Sequence, residues 1–600
     1  MTTFSDAALA IEGAPLLGVE QSLTGRVWRM AAGDARLAQA ISQRLALPEV
    51  IGRILASRGV GLEAVESYLN PTLRDLLPDP FHLAGMAEAA ERLARAVREG
   101  ETIGLFGDYD VDGATGTALM CRFLSTVGAR VVTHIPDRLM EGYGPNTGAL
   151  LGLGEKGAKV IVTIDCGTLS FEPLAAAAAA GLDVIVVDHH EAEPELPRAL
   201  AVINPNRLDA ASAHGHLAAV GVAFLVAVAV NRRLRESGWY GGGRPAPDLM
   251  QWLDIVALGT VCDVVPLIGV NRAIVAQGLK VAARRGNAGM AALADVAGLA
   301  ERPDAGHFGY ALGPRVNAGG RVGQADLGLR LLTCDDPEEA RKLAQLLDNH
   351  NRARQELEAA MLRDAIEQVE SQPESDHPLV VAVGEDWHPG VIGIIAGRLK
   401  ERYHRPACVI ALEGAEGKGS GRSIPGLNLG AAVIAARQAG ILVKGGGHAM
   451  AAGFTVTRER VDEFRHYLGE RLAANLAAPI KPAFELDGAV DVGGASVELA
   501  ETFRQLGPFG AGNPEPRIAV AEARVSGARV VGSGHVSCRL IGAAGARLKA
   551  IAFRAVDTEM GHALLAGDGA VFHLAGTLRV DTWQGNTSAQ LLIEDAAHAG

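Results

Sequence analysis

The 600-residue chain is poor in the features that mark exported, membrane-bound or disulfide-built proteins. Its six cysteines, Cys121, Cys166, Cys262, Cys334, Cys408 and Cys538, are scattered without a CxxC pair. That spacing suggests neither a thiolate zinc cluster nor a disulfide framework, and it fits a reducing cytoplasm. No basic region precedes the apolar residues of MTTFSDAALAIEGAPLLGV, and the longest apolar run, Leu217 to Val230, is too short to span a bilayer. A soluble, unexported, cytoplasmic protein is expected. Aromatic residues are only 4% of the chain, which limits the surface available for stacking. Net positive charge is also missing: the balance is -13, which argues against a generally basic nucleic-acid coat. A cleft needs only local positive charge, however, so the balance does not decide the partner. Apolar residues are abundant at 48%, enough for several packed domains.

Residues 1–80 read as a helical region, with Ile51-Gly-Arg-Ile-Leu-Ala and Leu62-Glu-Ala-Val-Glu-Ser-Tyr-Leu broken at Pro71 and Pro78. A helix from Met86 to Glu99, closed by Gly100, leads into a domain spanning 81–335, where apolar runs alternate with helical stretches. That alternation predicts an α/β fold on a parallel sheet. Residues 337–371, free of Gly and Pro after Pro337, predict one long helix within a connecting segment, 336–375. A second α/β domain is expected over 376–480. From 486 to 600, short strand-like runs and glycine turns predict a small antiparallel β-barrel.

The densest chemistry is Gly107-Asp-Tyr-Asp-Val-Asp-Gly113, with Asp108, Asp110 and Asp112 at alternate positions. In an extended stretch these carboxylates share a face at roughly 7 Å spacing, and each like-charge pair costs about 2 kcal/mol at an effective dielectric near 20. A cation is the natural remedy. Calcium in an EF-hand is disfavoured, because the twelfth position of such a loop is Leu119 rather than glutamate and the preceding Thr102–Phe106 reads as a strand. Two further strand-like runs also end in acid: Val160-Ile-Val-Thr-Ile at Asp165, and Val184-Ile-Val-Val at Asp188-His189-His190. Asp263 follows the apolar run that begins at Trp252. In a parallel sheet such ends share one edge, where ligands bind. Oxygen ligands with one or two imidazoles suit Mg2+ or Mn2+, and such a set can hold two ions about 3.5–4 Å apart. The bland alternative is that each aspartate caps the helix after its strand.

These residues resemble the motifs of the DHH phosphoesterase superfamily. Further stretches are similar to its RecJ family: Leu312–Arg321 (LGPRVNAGGR), Trp387-His-Pro-Gly-Val-Ile-Gly, Gly419-Ser-Gly-Arg-Ser, Gly445–Gly453 (GGGHAMAAG) and Gly507–Pro516 (GPFGAGNPEP). The resemblance implies a DHH domain joined by the long helix to a DHH-associated substrate-binding domain, with a C-terminal OB-like barrel. It implies a 5′ to 3′ exonuclease specific for single-stranded DNA that uses two Mn2+ or Mg2+ ions, releases 5′ mononucleotides and serves repair and recombination. By the same resemblance Asp108, Asp110, Asp112, Asp165, His189 and Asp263 are the metal ligands, with Asp165 bridging. Asp188 would orient His189, the usual carboxylate support for a ligating imidazole. His190 would face the scissile phosphate or support the site. Arg315, Asn317, Ser420, Arg422, Gly446, Gly447 and His448 would contact substrate, guanidinium forks and glycine-flanked amides being suited to phosphate. The barrel offers Arg524, Arg529, Arg539, Lys549, Arg554, Phe553 and Trp583 for a single strand. A monomer is implied, with a single-strand-binding protein and a RecQ-type helicase as partners. Val316, where the family often has isoleucine, is the one visible departure and should not disable the site.

Two other functions stay open at this point. One is a small-substrate relative, such as an oligoribonucleotide hydrolase or a family II pyrophosphatase, although the C-terminal segment favours a polymer. The other is a non-catalytic DNA-binding scaffold, although the carboxylate set is complete.

Overall fold

The computed structural model describes residues 14–138, 140–210, 212–371, 378–473, 483–583 and 586–599. The chain forms two compact units. The larger comprises Leu77–Pro266 and Ala273–Ala478; the smaller comprises Met1–Leu76, Leu267–Arg272 and Pro479–Gly600. Among the described residues no helix is long and apolar enough to cross a membrane.

The larger unit is built on two sheets. The first contains β1 (Thr102–Gly107), β2 (Arg130–His134), β3 (Ala158–Ile164), β4 (Asp183–Val187) and β5 (Ala201–Ile203) in the order β2-β1-β3-β4-β5, all parallel. The runs that fill β1, β3 and β4 are apolar at nearly every position because both faces of a parallel sheet are covered by helices. One of those helices, Met86–Glu99, ends at Gly100 in the left-handed conformation (φ 69°), as its sequence predicts. Strand order reverses between β1 and β3, and in such folds that reversal marks the ligand crevice.

A 35-residue helix, α1 (Pro337–Ser371), matches the sequence expectation; Asp336 accepts hydrogen bonds from the amides of Glu338 and Glu339 at its start. The second sheet follows: β6 (Val380–Glu385), β7 (Ala407–Glu413), β8 (Glu416–Arg422), β9 (Lys444–His448) and β10 (Ala451–Thr457), in the order β9-β10-β8-β7-β6. Only β6 and β7 pair in parallel.

In the smaller unit, β11 (Gly488–Val490), β12 (Arg517–Val531), β13 (His535–Ile541), β14 (Arg547–Ala552), β15 (Val571–Trp583) and β16 (Asn586–His598) lie in the order β11-β12-β13-β14-β16-β15, and β12 also pairs with β15. The pairings of β12 to β16 therefore run round in a ring. The expected antiparallel barrel needs one correction: β14 pairs β16, and β11 pairs β12, in parallel. The expectation of a helical region over residues 1–80 needs another, because part of it is a strand. Val27–Met30 is a strand, paired in parallel with Ala483–Leu486, and Ile41, Ile51, Ile54 and Leu55 share one core with Phe503, Val520, Leu540 and Leu574. So short a segment buries too little surface to stand alone, and the distant partner restores its core.

The Gly507–Pro516 motif is structural. Asn513, fully buried, donates from Nδ2 to the carbonyls of Leu506 and Pro508 and accepts from the Tyr68 hydroxyl and Arg58. Arg272, also buried, donates to the carbonyls of Leu506, Gly507, Pro508 and Tyr68. Burial, against the opposing Tyr68, lowers its pKa to about 10.

Candidate metal centre and phosphate cleft

Each acid is placed by local structure. Asp108 follows β1, but the stretch after it is not extended: Asp110 caps helix Val111–Thr126, accepting from the amides of Asp112 and Gly113, and Asp112 sits in the first turn. The turn explains the alternation differently from an extended chain, since it sends Asp108 and Asp110 to one group of candidate ligands and Asp112 to another. Gly113 is required there, because a Cβ would lie 2.4 Å from the Asp108 carbonyl oxygen. Asp112 accepts from the amides of Ala219 and Val220 at 2.6 and 2.9 Å, at the start of helix Ala219–Glu236, whose positive end favours a carboxylate. Asp165 follows β3 in a left-handed conformation (φ 64°), and Asp263 ends helix Leu253–Cys262 just before the equally left-handed Val264 (φ 62°). Such backbone costs of order 1–3 kcal/mol per residue, and it clusters at functional sites.

Three groups converge at this edge: Asp165 with His189 and His190, and two further triads. Asp108, Asp110 and Asp165 place one carboxylate oxygen each within 4.8 Å of one another; so do one oxygen each of Asp112 and Asp263 and a ring nitrogen of His189. His189 Nε2 lies 3.3 Å from Asp165, 3.6 Å from Asp263 and 3.8 Å from Asp112, so Asp165 adjoins both triads. Buried oxygens of Asp108, Asp165 and Asp263 have no hydrogen-bond partner. Burial first, then neighbouring carboxylates, pushes Asp112 up to about 7 and Asp263 up to about 9, and holds Asp108 and Asp165 well above the usual range. Burial and the nearby His190 pull His189 down to about 4, leaving a neutral imidazole. Partnerless carboxyl oxygens around a neutral ring nitrogen fit divalent cations of the Mg2+ or Mn2+ type, whose charge would favour the ionised form.

Asp188 does not support His189 as expected. Its Oδ1 lies 2.7 Å from His190 Nδ1, its Oδ2 accepts from the Thr168 amide, and it meets His189 only at the main-chain amide. Burial pushes Asp188 up, but the His190 hydrogen bond and charge reverse this and hold it well below the carboxylate range. Burial pulls the His190 ring down, and the Asp188 hydrogen bond and charge outweigh it, so His190 titrates above an ordinary histidine. Adjacent side chains project differently from the loop after β4, and only the second reaches back to the carboxylate.

Opposite the acids stands a group of arginines. Arg315, Asn317 and Arg321 share helix Gly313–Val322, and Asn317 and Arg321 lie one turn apart on one face. Arg321 donates to the Gly390 carbonyl at 2.8 Å; burial, together with the charges of Arg138, Arg354 and Arg422, lowers it to about 10. Arg138 lies over the Tyr109 ring at 4.9 Å. Ser420 and Arg422, adjacent on one face of β8, meet the start of helix Ile392–Tyr403, where a Cβ on Gly393 would come within 3.1 Å of both. Arg315 is already engaged, by the buried Asp348 at 2.9 Å. Gly446, Gly447 and His448 lie on the edge strand β9, with His448 exposed.

Three families match, described as DHH family, N-terminal domain (residues 102–260), DHHA1 domain (376–474) and RecJ OB domain (486–595). The single-stranded-DNA-specific exonuclease RecJ of Dickeya dadantii is 40% identical over 569 residues, 91% of this chain and 96% of the relative. The chain belongs to the RecJ family. Its Escherichia coli relative of the same description is 38% identical over 564 residues, covering 92% of this chain and 96% of that one. The crystal structure of RecJ from Thermus thermophilus with Mn2+ superposes with a TM-score of 0.79 at 30% identity, covering 95% of this chain and 79% of that one. The corresponding Mg2+ complex gives 0.74 at 29% identity, covering 95% of this chain and 78% of that one.

Within this RecJ family site, sequence reasoning passed over Arg138, Tyr143 and Arg321. Tyr143 donates to the Asp165 carbonyl at 3.1 Å and lies 3.2 Å from His190 Nδ1. Arg321 carried a signal, its helical spacing from Asn317 inside the LGPRVNAGGR motif. Arg138 and Tyr143 sit in a loop without periodicity and carried none. On the barrel, Phe553 is 57% exposed beside His535, Lys549 pairs with Asp581 at 3.0 Å and Arg524 donates to the Gly569 carbonyl. The Trp583 side chain lies outside the described residues.

Proposed function

We propose that the chain is a metal-dependent exodeoxyribonuclease that degrades single-stranded DNA from 5′ to 3′, releasing 5′ mononucleotides in DNA repair and recombination. The observation that carries this is the set of partnerless buried carboxylate oxygens around His189, facing like-charged arginines. Neither charge cluster is satisfied alone, and a phosphodiester with divalent cations satisfies both. Asp108, Asp110, Asp112, Asp165, His189 and Asp263 would hold two ions, with Asp165 between them. The Thermus thermophilus relative was crystallised with Mn2+ and with Mg2+, and the donor set suits either. When bound, such ions supply positive charge to a phosphoryl oxygen and lower the pKa of water.

The remaining work falls to the chain's own groups. His189, neutral, presents Nε2 to the carboxylates. Asp188 fixes the His190 ring, which would share a hydrogen bond with a phosphate oxygen. Arg321, Arg422 and Ser420 would hold the 5′ end, with Gly446, Gly447 and His448 beside them, while Arg315 and Asn317 belong to the helix that presents Arg321. In this reading residues 81–335 are the catalytic domain, 336–375 the connector, 376–480 the substrate-binding domain and 486–600 the strand-binding barrel, whose presence favours a polymeric substrate. It acts in the cytoplasm as a monomer, with a single-strand-binding protein and a RecQ-type helicase as partners. Asp165→Ala should abolish Mn2+-dependent cleavage while leaving a folded protein by circular dichroism; cleavage at the parent rate would refute the assignment.

A further inference from the structure

Asp188 holds His190, so something else must hold His189. The main chain at Leu217 lies near the His189 ring and is among the influences that raise its pKa against burial. Leu217 belongs to the segment that enters helix Ala219–Glu236, and its own amide donates to the His214 carbonyl. One side chain ties this segment to the histidine. Asn206 Nδ2 donates to the His189 carbonyl at 2.5 Å and to the Gly215 carbonyl at 3.1 Å. The fit is close: a Cβ on Gly215 would lie 2.3 Å from Asn206 Oδ1. Asn206 is itself fixed, because its amide donates to Asn204 Oδ1 while Asn204 Nδ2 donates to the His190 carbonyl and to Thr168. Both asparagines leave the end of β5, whose Ile203 carbonyl accepts from the Asp188 amide.

We infer that Asn206 is a positioning residue for the metal centre: it clamps the His189 main chain to the Gly215 main chain, and so keeps Nε2 aimed at Asp112, Asp165 and Asp263. The inference rests on His189 being a ligand, as proposed above. Groups that orient a ligating imidazole are worth about 10–100-fold in metal affinity.

The test is calorimetric titration of the full chain with MnCl2. Asn206→Ala and the near-isosteric Asn206→Asp, which lacks both N–H donors, should each bind Mn2+ about 10–100-fold more weakly. The Mn2+ concentration giving half-maximal cleavage should rise by a similar factor. His189→Ala separates the two claims. If it binds Mn2+ as the parent does, the metal reading itself fails. If it loses binding while both Asn206 variants titrate like the parent, only the clamp is overturned. Failure of both Asn206 variants to fold without metal would also overturn it, because the clamp is inferred to serve the ligand and not the fold.

Discussion

At the scale of single residues, the carboxylates were the most legible part of the site. Three strand-like runs ending in acid needed no knowledge of tertiary contacts, because the sheet edge gathers whatever follows its strands. What could not be read was direction. Whether Asp188 turns to His189 or His190 depends on loop dihedrals, and the structure chooses His190. Arg315 was read as a phosphate contact on chemistry that any arginine has, and Asp348, thirty-odd positions away, occupies it. Arg321 stands nearer the arginines that crowd the cleft, and their mutual repulsion is relieved by an anion. Arg321→Ala is expected to weaken binding of 5′-phosphorylated single strands about 10- to 100-fold, the worth of one or two charge-assisted hydrogen bonds. Fluorescence anisotropy in Ca2+, to suppress turnover, measures it.

At the scale of elements, periodicity served the helices well: α1 and Met86–Glu99 lie where their patterns and end residues put them. It failed where pairing is long-range. Nothing local distinguishes Val27–Met30 as a strand, since its partner is Ala483–Leu486. Nor could periodicity tell that the run ending at Asp263 is a helix; an apolar segment buried on all sides reads alike in either form. That helix carries a cost of its own. Asp254 in its first turn is buried, and burial, only partly offset by the Ile255 amide and Arg122, raises its pKa to about 6. An unfolded aspartic acid titrates near 4, so the folded form binds the proton more tightly. The penalty is therefore absent below about pH 4, grows between about pH 4 and 6, and is complete above that. Asp254→Asn should stabilise the protein at pH 7.5 by up to about 3 kcal/mol and have no effect near pH 4, which urea unfolding at the two values can check.

At the scale of the whole molecule, the alternation of strand and helix gave the catalytic fold class and the glycine-punctuated strands gave the terminal barrel. The grouping of segments into units was hidden. The N-terminal residues join the C-terminal ones through a shared core, and the short segment Leu267–Arg272 joins them too, held by Arg272 on four main-chain carbonyls. The glycine-rich Gly507–Pro516 motif thereby ties these segments together, through the buried Asn513 and the carbonyls that Arg272 holds. The central claim is that one edge of the larger unit hydrolyses single strands from the 5′ end with divalent metal. Digestion of one oligodeoxynucleotide labelled at either end, in Mn2+ and in EDTA, beside duplex and RNA controls, tests it most directly. The 5′ label should appear at once as mononucleotide while the 3′ label persists on shortening strands, in Mn2+ and on the single DNA strand only. Early release of the 3′ label, or equal degradation in EDTA, would contradict it.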